Sequence, residues 1–415
     1  GFQALHINTN GSSNTATGTY AMASCIDGYG NTVTGAWALG YSSQSGLNSA
    51  FGFNSMAHVS TGSNNSAFGA YALDGSAFMT GNDNTAGGYQ TMKNNLNGNK
   101  NAAFGTEALY SNTSGNENTG IGYQALYSNS SGSYNTATGS MALKNNSAGG
   151  YNVANGYQAL LNNSGSYNTA VGYANLSVNS GSYNTAMGDE VLAFNSSGSY
   201  NTAAGNFALL ENTTGSYNTA LGYLALRQNH AGNSNVAIGN NALNGDFGDG
   251  NTAVGTNTGF NASGGTNCTF IGYQAGNNSG NLTNATAIGA NAYVSASNSL
   301  VLGDINNISV GIGISNPADV LHIKGGGEHQ LTIEAFALPV GLLFKEAGVD
   351  AARIQHHGSS SYLSIQDYTP GWAEPGLVVN QGNIGIGTTG PSAKLSVNGA
   401  ANNATGSWGV FSDER

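Results

Sequence analysis

Two short apolar phrases alternate down the first three-quarters of the chain, each framed by glycine and asparagine. One is Asn-Thr-Ala-x-Gly, as in Asn218-Thr219-Ala220-Leu221-Gly222; the other is Gly-x-x-Ala-Leu, as in Gly222-Tyr223-Leu224-Ala225-Leu226. Stretches of Asn, Ser, Thr and Gly join them. Of the eighteen intervals between marker glycines from Gly1 to Gly303, thirteen are 17 residues and the others are 14, 16 or 19. Apolar pieces of three to five residues bounded by Gly and Asn predict strands, being too short for helices. Two short strands and two bends per period predict one rung of a parallel β-roll or β-solenoid, since a unit this small buries a core only by stacking on copies of itself. With rungs about 4.8 Å apart, residues 1–303 predict an all-β shaft about 90 Å long.

Proline distribution supports this independently. All five prolines (Pro317, Pro339, Pro370, Pro375 and Pro391) follow Gly303. A stacked ladder uses every strand N–H, and proline has none to give. The expected inward side chains are small: Ala137, Ala170, Ala186, Ala220 and Ala237 on one strand, Leu126, Leu160, Leu209, Leu226 and Leu243 on the other. A buried leucine contributes about 2 kcal/mol, whereas ordering each of the 17 residues costs about 1–2 kcal/mol. Asparagine stacking adds to the first side, and burial against sister chains would add more. The expected assembly is therefore a parallel homotrimer, with a monomeric solenoid as the alternative.

Composition narrows the partners. Charged residues make up 7% of the chain and the net charge is −11. Only Lys93, Lys100, Lys144 and Arg227 are basic before residue 303, which leaves no phosphate-tracking surface and argues against nucleic acid. Low charge with abundant Gly and Asn also fits disorder, but the strict register of the apolar positions opposes it. No apolar run reaches the roughly 20 residues of a membrane helix. Cys25 and Cys268 lie many rungs apart and are expected to be small buried residues rather than a disulfide. Gly1-Phe2-Gln3-Ala4-Leu5 matches the second half of a repeat. The array is thus expected to start earlier, with any attachment to a virion or cell-surface structure outside this sequence.

The phrases Asn235-Val236-Ala237-Ile238-Gly239, Ala285-Thr286-Ala287-Ile288-Gly289 and Ser297-Asn298-Ser299-Leu300-Val301-Leu302-Gly303 resemble the head repeats of trimeric autotransporter adhesins. The resemblance implies left-handed parallel β-rolls assembled as trimers. Its usual 14-residue period matches the last interval; the dominant 17 adds about three loop residues per rung.

Composition shifts at Asp304. The motif Val310-Gly311-Ile312-Gly313-Ile314-Ser315-Asn316-Pro317, ending Val320-Leu321-His322-Ile323, returns as Ile384-Gly385-Ile386-Gly387-Thr388-Thr389-Gly390-Pro391, ending Lys394-Leu395-Ser396-Val397. Each predicts a strand, a proline-set turn and a second strand. The expected organisation is a shaft at 1–303, a connector at 304–323, a small β domain at 324–382, a second connector at 383–411 and a further start at 412–415. The connectors resemble those of phage tail fibres and tailspikes upstream of an endosialidase-type intramolecular chaperone, a self-cleaving domain that begins Ser-Asp-x-Arg. Ser412-Asp413-Glu414-Arg415 matches that start. The resemblance implies autoprocessing at Ser412 and Asp413, although the lysine and domain body that normally follow are not in this sequence.

Candidate chemistry is sparse. Asp189-Glu190, and Asp246 with Asp249, could form a glycosidase pair, but they fall in variable repeat positions where solvated loop acids are the preferred reading. Catalysis would also require one carboxyl kept protonated by burial. Calcium-type glycine-aspartate repeats are absent. His356 and His357 could place one histidine on a central ion, since adjacent strand residues face opposite ways. Tyr362, Tyr368 and Trp372 could form a sugar-stacking surface or an ordinary small core. Tyr134, Tyr167, Tyr183, Tyr200 and Tyr217 are expected to stack at rung corners. Thr136, Thr169, Thr185, Thr202 and Thr219 would suit ice only as a flat outward array; beside the inward alanine they are not expected to form one. The expected function is an extracellular, structural and adhesive fibre, not an enzyme and without cofactors, that binds a host-surface glycan or protein. A phage tail fibre is preferred over a bacterial surface adhesin or a tailspike-like polysaccharide depolymerase.

Overall fold

The computed structural model describes residues 1–75, 79–245, 247–260, 264–277, 280–304, 309–324, 340–346, 349–357, 362–367, 376–380, 383–386 and 395–397. The chain divides into two compact units, Gly1–Val310 with Pro317–Val320, and Gly311–Asn316 with the residues from Leu321 onward. Every regular element among the described residues is a strand.

The first unit is a parallel β-solenoid. Eighteen strands, most of three residues, pair each with the next from Thr15–Thr17 to Leu300–Leu302. Register is kept residue for residue: Thr169, Thr185, Thr202 and Thr219 are successive partners, as are Ala170, Ala186, Ala203 and Ala220. At about 4.8 Å per strand the sheet extends roughly 80 Å. The second residue of each strand in this sheet points inward and its two neighbours point outward, as a period of two requires.

The marker glycines hold the corners for two reasons at once. Gly139 has φ 132°, and a Cβ there would lie 2.5 Å from the carbonyl oxygen of Gly156 on the next rung. No L-residue fits such a corner without moving the backbone. Both bends use left-handed conformations at ordinary residues, with Gln124 at φ 54° and Leu126 at φ 54° after a corner glycine and Tyr134 at φ 62° just before the next strand. Each costs about 1–2 kcal/mol, offset by ladder bonds: Leu126 N–H donates to Ala142 O at 3.0 Å and Gln124 N–H to Thr106 O at 3.0 Å.

The core is larger than one alanine and one leucine per rung. Ala137, Ala142 and Leu143 are fully buried, together with Asn135 and Asn146. The asparagines form two internal files. In one, Asn152 N–H and Nδ2–H donate to Asn135 Oδ1 at 3.0 and 3.1 Å. In the other, Asn146 Nδ2–H donates to Asn129 Oδ1 at 2.9 Å and to Gly149 O at 2.8 Å. Polar side chains are thus buried with partners, which removes most of the cost of burying them. Both cysteines are free and buried. Cys268 replaces an asparagine of the first file and keeps its backbone bond, donating N–H to Asn251 Oδ1 at 2.9 Å.

The second unit contains a six-stranded sheet: Val340–Glu346, Val349–His357, Tyr362–Asp367, Leu377–Asn380, Asn383–Ile386 and Leu395–Val397. The first five strands run antiparallel in sequence order and the sixth is parallel to the fifth. Val310–Ile312 and Leu321–Ile323 form a separate two-stranded sheet.

Candidate functional site

The outer face of the long sheet is a regular surface built from eighteen strands. Threonines in the first strand position face outward, half-buried or exposed. This corrects the expectation that Thr136, Thr169, Thr185, Thr202 and Thr219 would be withdrawn beside the inward alanine: strand alternation places a residue and its neighbour on opposite faces. The third position is also outward, and there most rungs put large apolar side chains, with Thr138, Asn155 and Ala204 among the exceptions. Phe104, Ile121, Val171, Met187, Leu221, Ile238, Val254, Ile271 and Ile288 are all exposed. The sequence carried the signal in the x of Thr-Ala-x, where a solvated position would ordinarily be polar.

A second surface is aromatic. Tyr134, Tyr151, Tyr167, Tyr183, Tyr200 and Tyr217 stack face to face with centroids 4.7–4.9 Å apart. Their ring faces cover one another, so mainly edges and hydroxyls reach solvent; Tyr217, at the end of the file, is 61% exposed. A shorter aromatic run joins Tyr20 to Trp37 at 4.1 Å, Trp37 to Tyr41 at 5.9 Å and Tyr41 to His58 at 5.2 Å. His58 Nδ1 lies 3.1 Å from Asp74 Oδ1. Burial pushes the Asp74 carboxyl up, with His58 pulling in the opposite direction.

The third feature is a recess near the C-terminal end of the solenoid, of about 290 Å³, lined by Asn257, Phe260, Gln274, Gly276, Asn277 and Tyr293 among others.

The candidate residues of the second unit are only partly described. Val349–His357 pairs with Val340–Glu346 and Tyr362–Asp367, so His356 is opposite Val340 and Leu363, and His357 is opposite Tyr362. Tyr368, Trp372, Ser412 and Asp413 lie outside the described residues, as does Asp246. Asp249 accepts a backbone hydrogen bond from Asn233 at 2.7 Å, a repeat-to-repeat contact. Among the described residues no three His, Cys, Asp or Glu side chains gather as metal ligands, and no helix is long and apolar enough to cross a membrane.

No protein-family model matches the chain, and no curated protein matches it.

Proposed function

We propose that this chain is a structural and adhesive fibre, assembled as a parallel homotrimer and used extracellularly for attachment to a host cell, in the manner of a phage tail fibre. The observation that carries this reading is the outward apolar file of the solenoid sheet. A row of side chains such as Ile121, Met187, Ile238 and Ile271 is a costly surface to leave in water. Outward apolar side chains that recur in register on most rungs, with breaks at Thr138, Asn155 and Ala204, are covered when parallel copies of the chain turn this face toward a common axis. In the second unit, Leu363, Val379 and Ile384 are successive cross-strand partners with exposed side chains, a further apolar surface for sister chains. The expected core shortage no longer carries the trimer, because the asparagine files fill the solenoid interior.

Light scattering tests the assembly. The expected mass is three times 41.9 kDa, and a monomeric mass at micromolar concentration would overturn it. Adsorption of the labelled fibre to host cells tests attachment, and release of oligosaccharide from capsule would favour a depolymerase instead. Processing at Ser412 and Asp413 belongs to the same reading and rests on the Ser-Asp-Glu-Arg resemblance. The outward threonine file favours a second reading, an ice-binding solenoid, which thermal hysteresis would reveal. The fibre is preferred because the companion outward file is bulky and apolar.

A further inference from the structure

The recess beside Asn277 has a clear origin in the sequence. At Leu226 and Leu243 the repeat places a leucine that fills the solenoid interior. In the next two rungs the same position is Gly259 and then Gly276, within Thr258-Gly259-Phe260 and Ala275-Gly276-Asn277. Phe270, in a strand position where other rungs hold alanine, occupies part of the freed space. The remainder opens as the 290 Å³ recess, with the exposed rings of Phe260 and Tyr293 on its walls.

Asn277 lines this recess, is 2% exposed, and has no hydrogen-bond partner for either Oδ1 or Nδ2. The other buried asparagines described above are bonded along their files. A buried amide without partners is costly, so this one is set up for a guest that both donates and accepts. Among the described residues no charged side chain lines the recess, so none of them compensates an ionic guest. Its volume is at the small end of ligand pockets, near about 300 Å³.

We propose that this recess binds one neutral pyranose residue of a surface glycan. Neither amide atom of Asn277 reaches solvent in this structure, so the side chain would turn toward the recess, where adjacent sugar hydroxyls would donate to Oδ1 and accept from Nδ2–H while the apolar face of the ring lies against Tyr293 or Phe260. The proposal rests on the adhesive reading and specifies its ligand class.

The test is saturation-transfer NMR on the full chain with methyl β-galactopyranoside, methyl α-mannopyranoside and methyl β-N-acetylglucosaminide, each at about 10 mM to suit weak single-sugar affinity. At least one is expected to bind and to raise the Tm. Asn277→Ala should weaken binding about tenfold or more, yet raise the Tm of the free protein by removing the unpaired amide. Gly276→Leu should abolish binding by filling the recess; a Cβ there meets only Gly259 atoms, at 3.6 Å. Should that variant not fold, Tyr293→Ala supplies the second measurement and should also weaken binding. Absence of transfer from all three glycosides, or wild-type binding by Asn277→Ala, overturns the proposal. If the recess takes no sugar while the fibre still adsorbs to cells, the ligand assignment falls and the adhesive reading stands. Sugar binding without adsorption gives the reverse.

Discussion

Asn135 donates its backbone N–H at 3.0 Å and its side-chain amide at 3.1 Å to the same atom, Asn118 Oδ1, one rung away. Its own Oδ1 accepts the equivalent pair from Asn152, and its Nδ2 also reaches Gly149 O at 2.9 Å. One side chain therefore satisfies groups on both neighbouring rungs inside the buried interior. Asn135→Ala would leave the Asn152 N–H without its partner, whereas Gly149 O keeps its bond from Asn146 Nδ2–H at 2.8 Å; a buried donor left unpaired costs about 1–3 kcal/mol. The expected loss is about 2 kcal/mol, read from urea unfolding. A loss below about 0.5 kcal/mol would show that the file contributes little.

Two glycine-to-alanine changes should act in opposite directions. At Gly139 the new methyl group would meet Gly156 O at 2.5 Å, with φ at 132°, so the rung must distort and stability should fall by about 3 kcal/mol. Gly120 occupies the inward strand position that is Ala103 and Ala137 on its neighbours. A Cβ there finds its nearest atoms at 3.5 Å, ordinary contact. Gly120→Ala should therefore raise stability by about 0.5–1 kcal/mol, through a less flexible unfolded chain and a better-filled core. Equal effects from the two variants in thermal melts would contradict the corner geometry.

These two positions also show what the sequence makes legible. The period, the corner glycines and the inward alanine can be read directly, because each is a steric requirement repeated in every rung. The outward apolar file is visible in Leu221, Ile238, Val254 and Ile271 once strand alternation is applied. The left-handed conformation of the bends is hidden, since Gln124, Leu126 and Tyr134 are none of the residues that signal positive φ. So is the choice of buried asparagine: Asn118 is buried while Asn116, two residues earlier, is not, and composition cannot separate them. The break in the leucine pattern at Gly276 was present in the sequence, but only the structure shows that it opens a recess with an unpaired amide.

Cys25 gives the shaft a dependence on alkaline pH. It is fully buried, and burial raises its thiol above the ordinary 9.0, against weaker lowering by hydrogen bonds from Ser42 and Gly28. With a raised folded-state value, the folded chain retains a proton that the unfolded chain releases, so stability is constant below the unfolded value and falls as pH rises through 9.0 toward the folded value. Cys25→Ala should flatten this decline in melts at increasing pH. An unchanged slope would mean that another group controls it.

The outward apolar file can be tested without touching the solenoid core. Ile238 and Ile271 are 38% and 40% exposed, and each is the last residue of a strand whose middle residue, Ala237 or Phe270, carries the burial. The double variant Ile238→Glu, Ile271→Glu leaves those inward contacts and the ladder bonds in place. In a trimer it would bring equivalent carboxylates of three chains together in an apolar, poorly hydrated seam, where like charges repel by several kcal/mol and desolvation adds to the cost. The expected result is a fall in mass from three times 41.9 kDa to 41.9 kDa, with circular dichroism still showing β structure. Tyr200→Ser, on the exposed corner file, is the control and should remain trimeric. A double variant that stays trimeric would place the contact between chains on another face, and the apolar file would lose its role in assembly.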